Sequence, residues 1–240
     1  MARRTNYKYI GYIQALFICL LLVINLIGAA KVSLISIPLP FVDKIWAFPI
    51  GTGIIFFPLS YLIGDVLTEV YGYSYSRKVI WTGFGSLILA TLMVQFIVSM
   101  PAAPDWTHQK AYEEVFNISW RIAASSLTAF AIGEFVNSFV MAKMKIWTNG
   151  SKLWTRTIGS TICGEAMDTL VFYPLAFLGN PDFPLLLLGQ IMLANYLGKV
   201  VWEVLATPLT YLVVNWLKRA EHEDYFDKET DFNPFVVENV

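Results

Sequence analysis

Apolar positions in this chain do not alternate with polar ones; they run in long blocks, most of them as long as a bilayer is thick. A spanning helix needs roughly 20 mostly apolar residues. Six blocks meet that length, at about 10–30, 48–71, 79–100, 121–143, 157–179 and 185–216. The last two are joined by the short turn "GNPDFP" (179–184), which makes them antiparallel neighbours. The third ends at "SMPAAPDW", where Pro101 and Pro104 stop it. The segment "DWTHQKAYEEVFNISW" then puts Trp106, Tyr112, Val115 and Phe116 near one side, a pattern that suits either a short surface helix or a solvated loop. The start, "MARRTNYKYIGYIQALFICLLLVINLIGAA", has a basic head and an apolar run longer than the roughly 7–15 residues of a signal-peptide core, so it reads as a first span. The organisation expected is one all-α domain of six transmembrane helices over 1–218. An acidic, aperiodic tail over 219–240 is expected to be disordered.

Charge orients this array. With both termini cytoplasmic, the inner segments hold Arg3, Arg4, Lys8, Arg77, Lys78, Lys143, Lys145, Lys152, Arg156, Lys218 and Arg219. The outer segments hold only Lys31, Lys44, Lys110 and Arg121, a clear positive-inside bias. Composition agrees: 56% of residues are hydrophobic and 15% charged, against about 25% charged in soluble domains. A net charge of −1 points away from nucleic acid, and Cys19 and Cys163, both inside apolar runs, offer no disulfide framework.

The informative residues are the polar ones inside the spans. The second carries Asp65 and Glu69, the fourth Glu134 and Asn137, the fifth Glu165 and Asp168, and the sixth Asn195, Lys199 and Glu203. An acid near mid-membrane costs about 2.5–3.5 kcal/mol on insertion scales, so these groups should line a shared interior. Their i,i+3 and i,i+4 spacing gives one stripe per helix. At about 1.5 Å rise per residue, Glu134, Glu165, Asp168 and Lys199 fall near the midplane. Asp65 and Glu69 fall in the cytoplasmic third, beside Arg77 and Lys78. Lys199 has two readings, a structural salt bridge with Glu203 or a fifth-span acid, and a ligand contact. Asp65 and Glu69 are either structural or part of a cytoplasmic gate. One lysine cannot neutralise Glu134, Glu165 and Asp168 together, which favours a ligand-binding role for that group.

Three segments, "GDVLTE" (64–69), "GEFVNS" (133–138) and "GEAMDT" (164–169), share a Gly–acid start. Their uneven spacing excludes a simple duplication, and they read as glycines that let helices approach with an acid turned inward. The fourth and fifth spans are rich in small residues and are expected at the centre of the bundle, with the third facing lipid. Pro49, Gly51, Gly53 and Pro58 predict a kinked or partly unwound outer half of the second span.

The chemistry of an intramembrane enzyme is missing. "LIGD" places Leu62 where an aspartyl type needs glycine, His108 and His222 are the only histidines, and no phosphate loop occurs. No catalytic, metal or cofactor site is expected.

The segments "GDVLTEVYGYSYSRKVIW", "GEFVNSFVMAKMK", "GEAMDTLVF" and "NYLGKVVWEVLATP" resemble the queuosine precursor transporter family, also described as vitamin-uptake-transporter-like. The resemblance implies a six-helix fold similar to the substrate-binding components of ECF transporters. It also implies uptake through the bacterial inner membrane of 7-deazaguanines such as 7-cyano- and 7-aminomethyl-7-deazaguanine. Asp65, Glu69, Asp168 and Lys199 match the family's charged positions; Asn137 stands where some members have Asp. A deazaguanine edge offers a donor pair that one carboxylate accepts bidentately. Glu134 or Glu165 is the expected edge reader, with Asp168 and Lys199 as partners, Asn137 and Asn195 nearby, and Phe135, Phe172, Tyr196 and Trp202 as candidate ring faces. Asp65, Glu69, Arg77 and Glu203 are assigned to a gate or to structure. Partners are then the small molecule and the lipid bilayer, with a homodimer or a separate energising ATPase module left open. The alternatives are a substrate-binding subunit that needs such a module and, further off, an intramembrane enzyme.

Overall fold

A computed structural model describes residues 7–28, 32–38, 45–117 and 119–236. Arg3, Arg4, Lys31, Lys44 and the end of the first predicted span lie outside the described residues. Helices occupy parts of all six apolar blocks: α1 Ile10–Leu26, α2 Phe57–Tyr71, α3 Tyr73–Ser99, α5 Trp120–Trp147, α6 Leu153–Phe177 and α7 Leu185–Glu221. The segment after the third block contains a short helix, α4 Gln109–Phe116. By length and composition, Tyr73–Ser99, Gln109–Trp147 (which contains α5) and Leu185–Glu221 can each cross a membrane, and Ile10–Leu26 is a shorter apolar helix.

The second block departs from a full helix. Strands β1 (Val32–Pro38) and β2 (Ile45–Gly51) form an antiparallel hairpin, with Val32 opposite Gly51 and Pro38 opposite Ile45. The sequence explains why: Pro49, Gly51 and Gly53 disfavour helix, while Ile35, Ile37, Ile45 and Ile50 are β-branched. One 3₁₀ turn (Thr52–Ile55) follows, and α2 starts with Pro58 in its first turn, where a missing N–H costs nothing. Gly72, at φ +83°, ends α2 and begins α3. A side chain there would strain the backbone and collide with the Tyr225 ring.

Helix α2 is the bundle's axis. Every residue from Ser60 to Ser74 is buried, and its apolar members join Phe17 and Leu21 of α1 and Val214 and Leu217 of α7 in one core. A helix apolar on nearly all sides belongs inside. Helices α5 and α6 pack against each other glycine to glycine: a Cβ on Gly164 would stand 3.0 Å from the Gly133 carbonyl and 2.8 Å from Asn137 Cβ. The outer surface is apolar instead, with Leu89, Met93 and Phe96 of α3 and Leu186, Leu205 and Leu212 of α7 among its exposed side chains. Charged groups inside and large apolar groups outside fit lipid as the solvent.

Up to residue 236 the tail is laid down along the bundle where its composition suggests disorder. Helix α7 continues to Glu221, and residues 222–236 run as a strap across the end of the bundle that holds Gly72. The Asp227 carboxylate accepts the Tyr73 N–H at 3.0 Å at the start of α3, and the Tyr225 N–H reaches the Val70 carbonyl. Arg77 donates to the carbonyls of Asp231 and Asn233, and Trp81 Nε1 to that of Pro234 at 2.7 Å. Lys143 lies 3.8 Å over the Phe232 ring. The strap is held by these polar partners and by single aromatic contacts such as Phe232 against Tyr73 and Phe139, which the mean hydropathy of an acidic segment does not show.

Candidate functional site

Buried charge is stacked in three tiers along the bundle. Nearest the hairpin, Lys199 of α7 donates to Glu165 Oε2 at 2.7 Å and Asp168 Oδ2 at 2.9 Å, and stands 4.4 Å above the Phe57 ring. The i,i+3 spacing on α6 turns both acids to the same lysine. Tyr61 is buried beside Glu165. The pairing decides between the two partners open to Lys199: it takes the α6 acids and leaves Glu203 aside.

This tier opens on a cavity of about 330 Å³, at the small end of the roughly 300–1,000 Å³ usual for ligand pockets. Asp168, Lys199 and Asn195 supply its polar wall together with Asn25 and Ser126, which bond each other at 3.0 Å. Phe57, Phe130, Phe172, Tyr173 and Phe177 supply its aromatic wall. Gly28 and Gly53 form its rim, close enough that a Cβ on Gly28 would meet Gly53 Cα at 2.6 Å.

The middle tier lies one turn deeper. Asn137 Nδ2 donates to Asp65 Oδ1 at 2.8 Å. Glu134 turns toward α2, where a Cβ on Gly64 would stand 3.2 Å from its Oε2. Glu203 is buried beside Asp65. Asp65 Oδ2, Glu134 Oε2, Asn137 Oδ1 and both Glu203 oxygens have no hydrogen-bond partner among the described residues.

The third tier closes the strap end. Glu69, fully buried, accepts from Arg156 Nε at 2.7 Å and Nη2 at 2.8 Å and from Lys218 at 2.5 Å, with Lys145 at 3.6 Å. Lys145 and Lys218 both reach Asp224 of the strap, at 2.5 and 2.8 Å. Burial pushes the Asp224 carboxyl up, and the two lysines outweigh it and hold it below the usual carboxylate range.

Several sequence expectations change here. Glu69 does not pair with Arg77 or Lys78; Arg77 holds the strap, and Glu69 takes its cations from α5, α6 and α7. Asp65 sits a turn above that cluster, on Asn137. Phe135 packs on Trp81, 5.5 Å between ring centres, away from the cavity. Trp202 is 41% exposed and Tyr196 faces the Ile162 carbonyl, so of the four proposed ring faces only Phe172 lines the cavity. Glu134 and Glu165 lie behind its wall. The missed members are Phe57, Phe130, Tyr173 and Phe177. The aromatic run 172–177 beside Asp168 carried a signal for Tyr173 and Phe177; Phe57 and Phe130, on other helices, had none.

An apolar-surfaced helical bundle with a polar, aromatic-lined cavity among its helices defines a multi-pass membrane protein built to hold a small molecule. Residues 51–213 match the family model described as "Putative vitamin uptake transporter", and the chain belongs to that family. It is 32% identical over 148 residues to the probable queuosine precursor transporter of Bacillus subtilis, a match covering 61% of this chain and 64% of the relative. It is 27% identical over 176 residues to the queuosine precursor transporter of Escherichia coli, covering 72% and 77%. No solved structure matches the chain.

Proposed function

We propose that this chain carries 7-deazaguanine precursors of queuosine, such as 7-cyano- and 7-aminomethyl-7-deazaguanine, through the bacterial inner membrane. Helices α1, α2, α3, α5, α6 and α7 are the six spans, with the strap end on the cytoplasmic side. The names of the two relatives support the substrate class. The observation that carries the reading is the placement of Asp168 and Lys199 side by side in an aromatic-walled cavity. The Asp168 carboxylate accepts the two N–H donors of the deazaguanine edge, Lys199 donates to the ring carbonyl oxygen, and Phe57 and Phe172 flank the flat ring. Glu165 keeps Lys199 in place. This moves the edge-reading role from Glu134 and Glu165, behind the wall, to Asp168.

Hydrogen bonds to a charged group contribute about 1.5–3 kcal/mol each. Asp168→Asn replaces a bidentate acceptor with one acceptor and one donor. It is expected to weaken binding of 7-cyano-7-deazaguanine to the purified protein by roughly tenfold to a hundredfold, read by thermal stabilisation against guanine and adenine controls. Undiminished binding in Asp168→Asn overturns the assignment of the cavity. Counterflow exchange by the purified chain alone in liposomes separates a carrier from a subunit that needs an ATPase partner.

A further inference from the structure

The middle tier has no role in the reading above, yet it is the least compensated set of groups in the described protein. Asp65, Glu134 and Glu203 come from α2, α5 and α7, and each is at most 1% exposed. None forms a salt bridge, while the tiers above and below are paired with four cations. Five oxygen acceptors lack a donor: Asp65 Oδ2, Glu134 Oε2, Glu203 Oε1 and Oε2, and the amide oxygen of the wholly buried Asn137. Acceptors crowded in a dry interior need donors, and the smallest donors available to carboxylates are their own protons.

The surroundings offer little else: the Tyr61 hydroxyl of α2, near Glu134, is bonded to Glu165. Helix α6 adds two further acids, Glu165 and Asp168, already engaged with Lys199. Helix α3 contributes the Ser76 hydroxyl, which is shared with Thr68 and Ser138, and α1 adds apolar Phe17 and Leu21 to the adjoining core. On α2 the next acid, Glu69, is committed to Arg156 and Lys218, and on α5 Lys145 is committed to the same cluster. A sodium ion would ordinarily draw on backbone carbonyls released by a broken helix. Here α2, α5 and α7 run as continuous helices through Asp65, Asn137 and Glu203, although Pro208 of α7 leaves the Val204 carbonyl without its i+4 donor.

We infer that Asp65, Glu134 and Glu203, with Asn137 between them, form a proton-binding site that couples proton entry to passage of the substrate held one turn above. Glu134 is the link, since it lies between the Lys199 cluster and Asp65. A proton on Glu134 or Glu203 turns a bare acceptor into a donor toward its neighbours, and substrate arriving at Asp168 changes the charge that this tier feels. No bond other than O–H is made or broken, and the proton enters and leaves with the substrate.

The inference rests on the carrier reading, and the experiment separates the two. Purified protein in liposomes is given labelled 7-cyano-7-deazaguanine in two formats, counterflow exchange without any gradient and net uptake under an imposed pH gradient, acidic outside. The wild type is expected to exchange in the first. In the second it should accumulate label, up to about tenfold per pH unit for one proton per substrate, with collapse on adding a protonophore. Asp65→Asn and Glu203→Gln keep the side-chain shapes and are expected to retain exchange while losing gradient-driven accumulation. Exchange by the wild type without accumulation under the pH gradient overturns the coupling and leaves the carrier reading standing, as does accumulation driven by a sodium gradient at equal pH. Accumulation by Glu203→Gln equal to that of the wild type overturns the assignment of the site. Absence of exchange in the wild type overturns the carrier reading and the coupling with it. Because the wild type is itself tested under both gradients, a variant that fails to fold does not protect the idea.

Discussion

Glu69 offers the sharpest test of the energetics, because three cations from three helices converge on one buried carboxylate. Replacing it in Glu69→Gln takes the carboxylate from Arg156 and leaves Lys145 and Lys218 with Asp224 of the strap. Removing one member of a buried ion pair usually costs about 3–5 kcal/mol, since the other charge stays desolvated. Arg156 would keep the Ser151 carbonyl at 2.6 Å and the Gly150 carbonyl at 3.1 Å, and Lys145 would keep Asp224. The expected cost therefore falls in the lower half, about 3–4 kcal/mol, or a shift of several hundredfold in the unfolding equilibrium. The opposite change, Arg156→Met, leaves Glu69 with two lysines and an apolar replacement of similar length, so it should cost less, about 1–3 kcal/mol. Unfolding titrations with sodium dodecyl sulfate in mixed micelles, followed by tryptophan fluorescence, give both values and their coupling in a double-mutant cycle. The asymmetry is the test. A Glu69→Gln variant within 1 kcal/mol of the wild type, or one no less stable than Arg156→Met, would refute Glu69 as the hub of this end.

Other outcomes follow from particular contacts. Asp227→Ala removes the acceptor for the first amide of α3 and should cost about 0.5–2 kcal/mol, as lost helix caps do, with faster proteolysis after residue 221 as the readout. Gly72→Ala should cost more than Asp227→Ala in the same melts, because it adds backbone strain at φ +83° to a collision with Tyr225. Gly164→Val forces α5 and α6 apart at their closest approach and should cost about 1–3 kcal/mol through overpacking, with loss of substrate stabilisation in thermal melts. The strap has a pH signature whose sign is fixed by Asp224. A carboxyl held below its unfolded pKa stabilises the docked state above the usual carboxylate range and loses that contribution as pH falls through the lowered folded value. Amide exchange over 224–227 should thus be equally slow at pH 8 and pH 6 after correction for intrinsic rates, and speed up only below the usual carboxylate range. Release of the strap between pH 8 and pH 6 would contradict this.

What the sequence shows and what it hides divide along a physical line. Helices α1, α2, α3, α5, α6 and α7 each fall on one of the six apolar blocks, because a long apolar run needs no tertiary contact to be recognised, but the second block begins as strand and only its latter part is helix. The i,i+3 pair Glu165 and Asp168 does meet Lys199, since helical spacing alone puts both acids on one face and a buried lysine has few places to go. Direction around a helix is harder. Phe135 is next to Glu134, yet it points to Trp81 on α3, and Trp202, beside Glu203, turns outward. One residue along a helix is a rotation of about 100°, so adjacency to an acid says nothing about facing the same space. Glu69 shows the other limit: its partners lie 76, 87 and 149 positions away, in segments whose approach depends on every helix between. The hairpin was concealed by composition, because its strands are as apolar as the helices around them, and only Pro49, Gly51 and Gly53 mark the change.

Glu221 deserves a last thought for what it implies about assembly. Its carboxylate accepts the backbone N–H groups of Lys8 and Tyr9, at 3.0 and 2.6 Å, and the Tyr71 hydroxyl at 2.9 Å, so the end of the last helix closes the beginning of the first. During synthesis α1 leaves the ribosome more than two hundred residues before its acceptor does. The amides of Lys8 and Tyr9, just ahead of α1, must wait until α7 has been made. A product cut short before residue 221 therefore carries an unfastened α1 as well as a missing strap, two distant lesions from one stop.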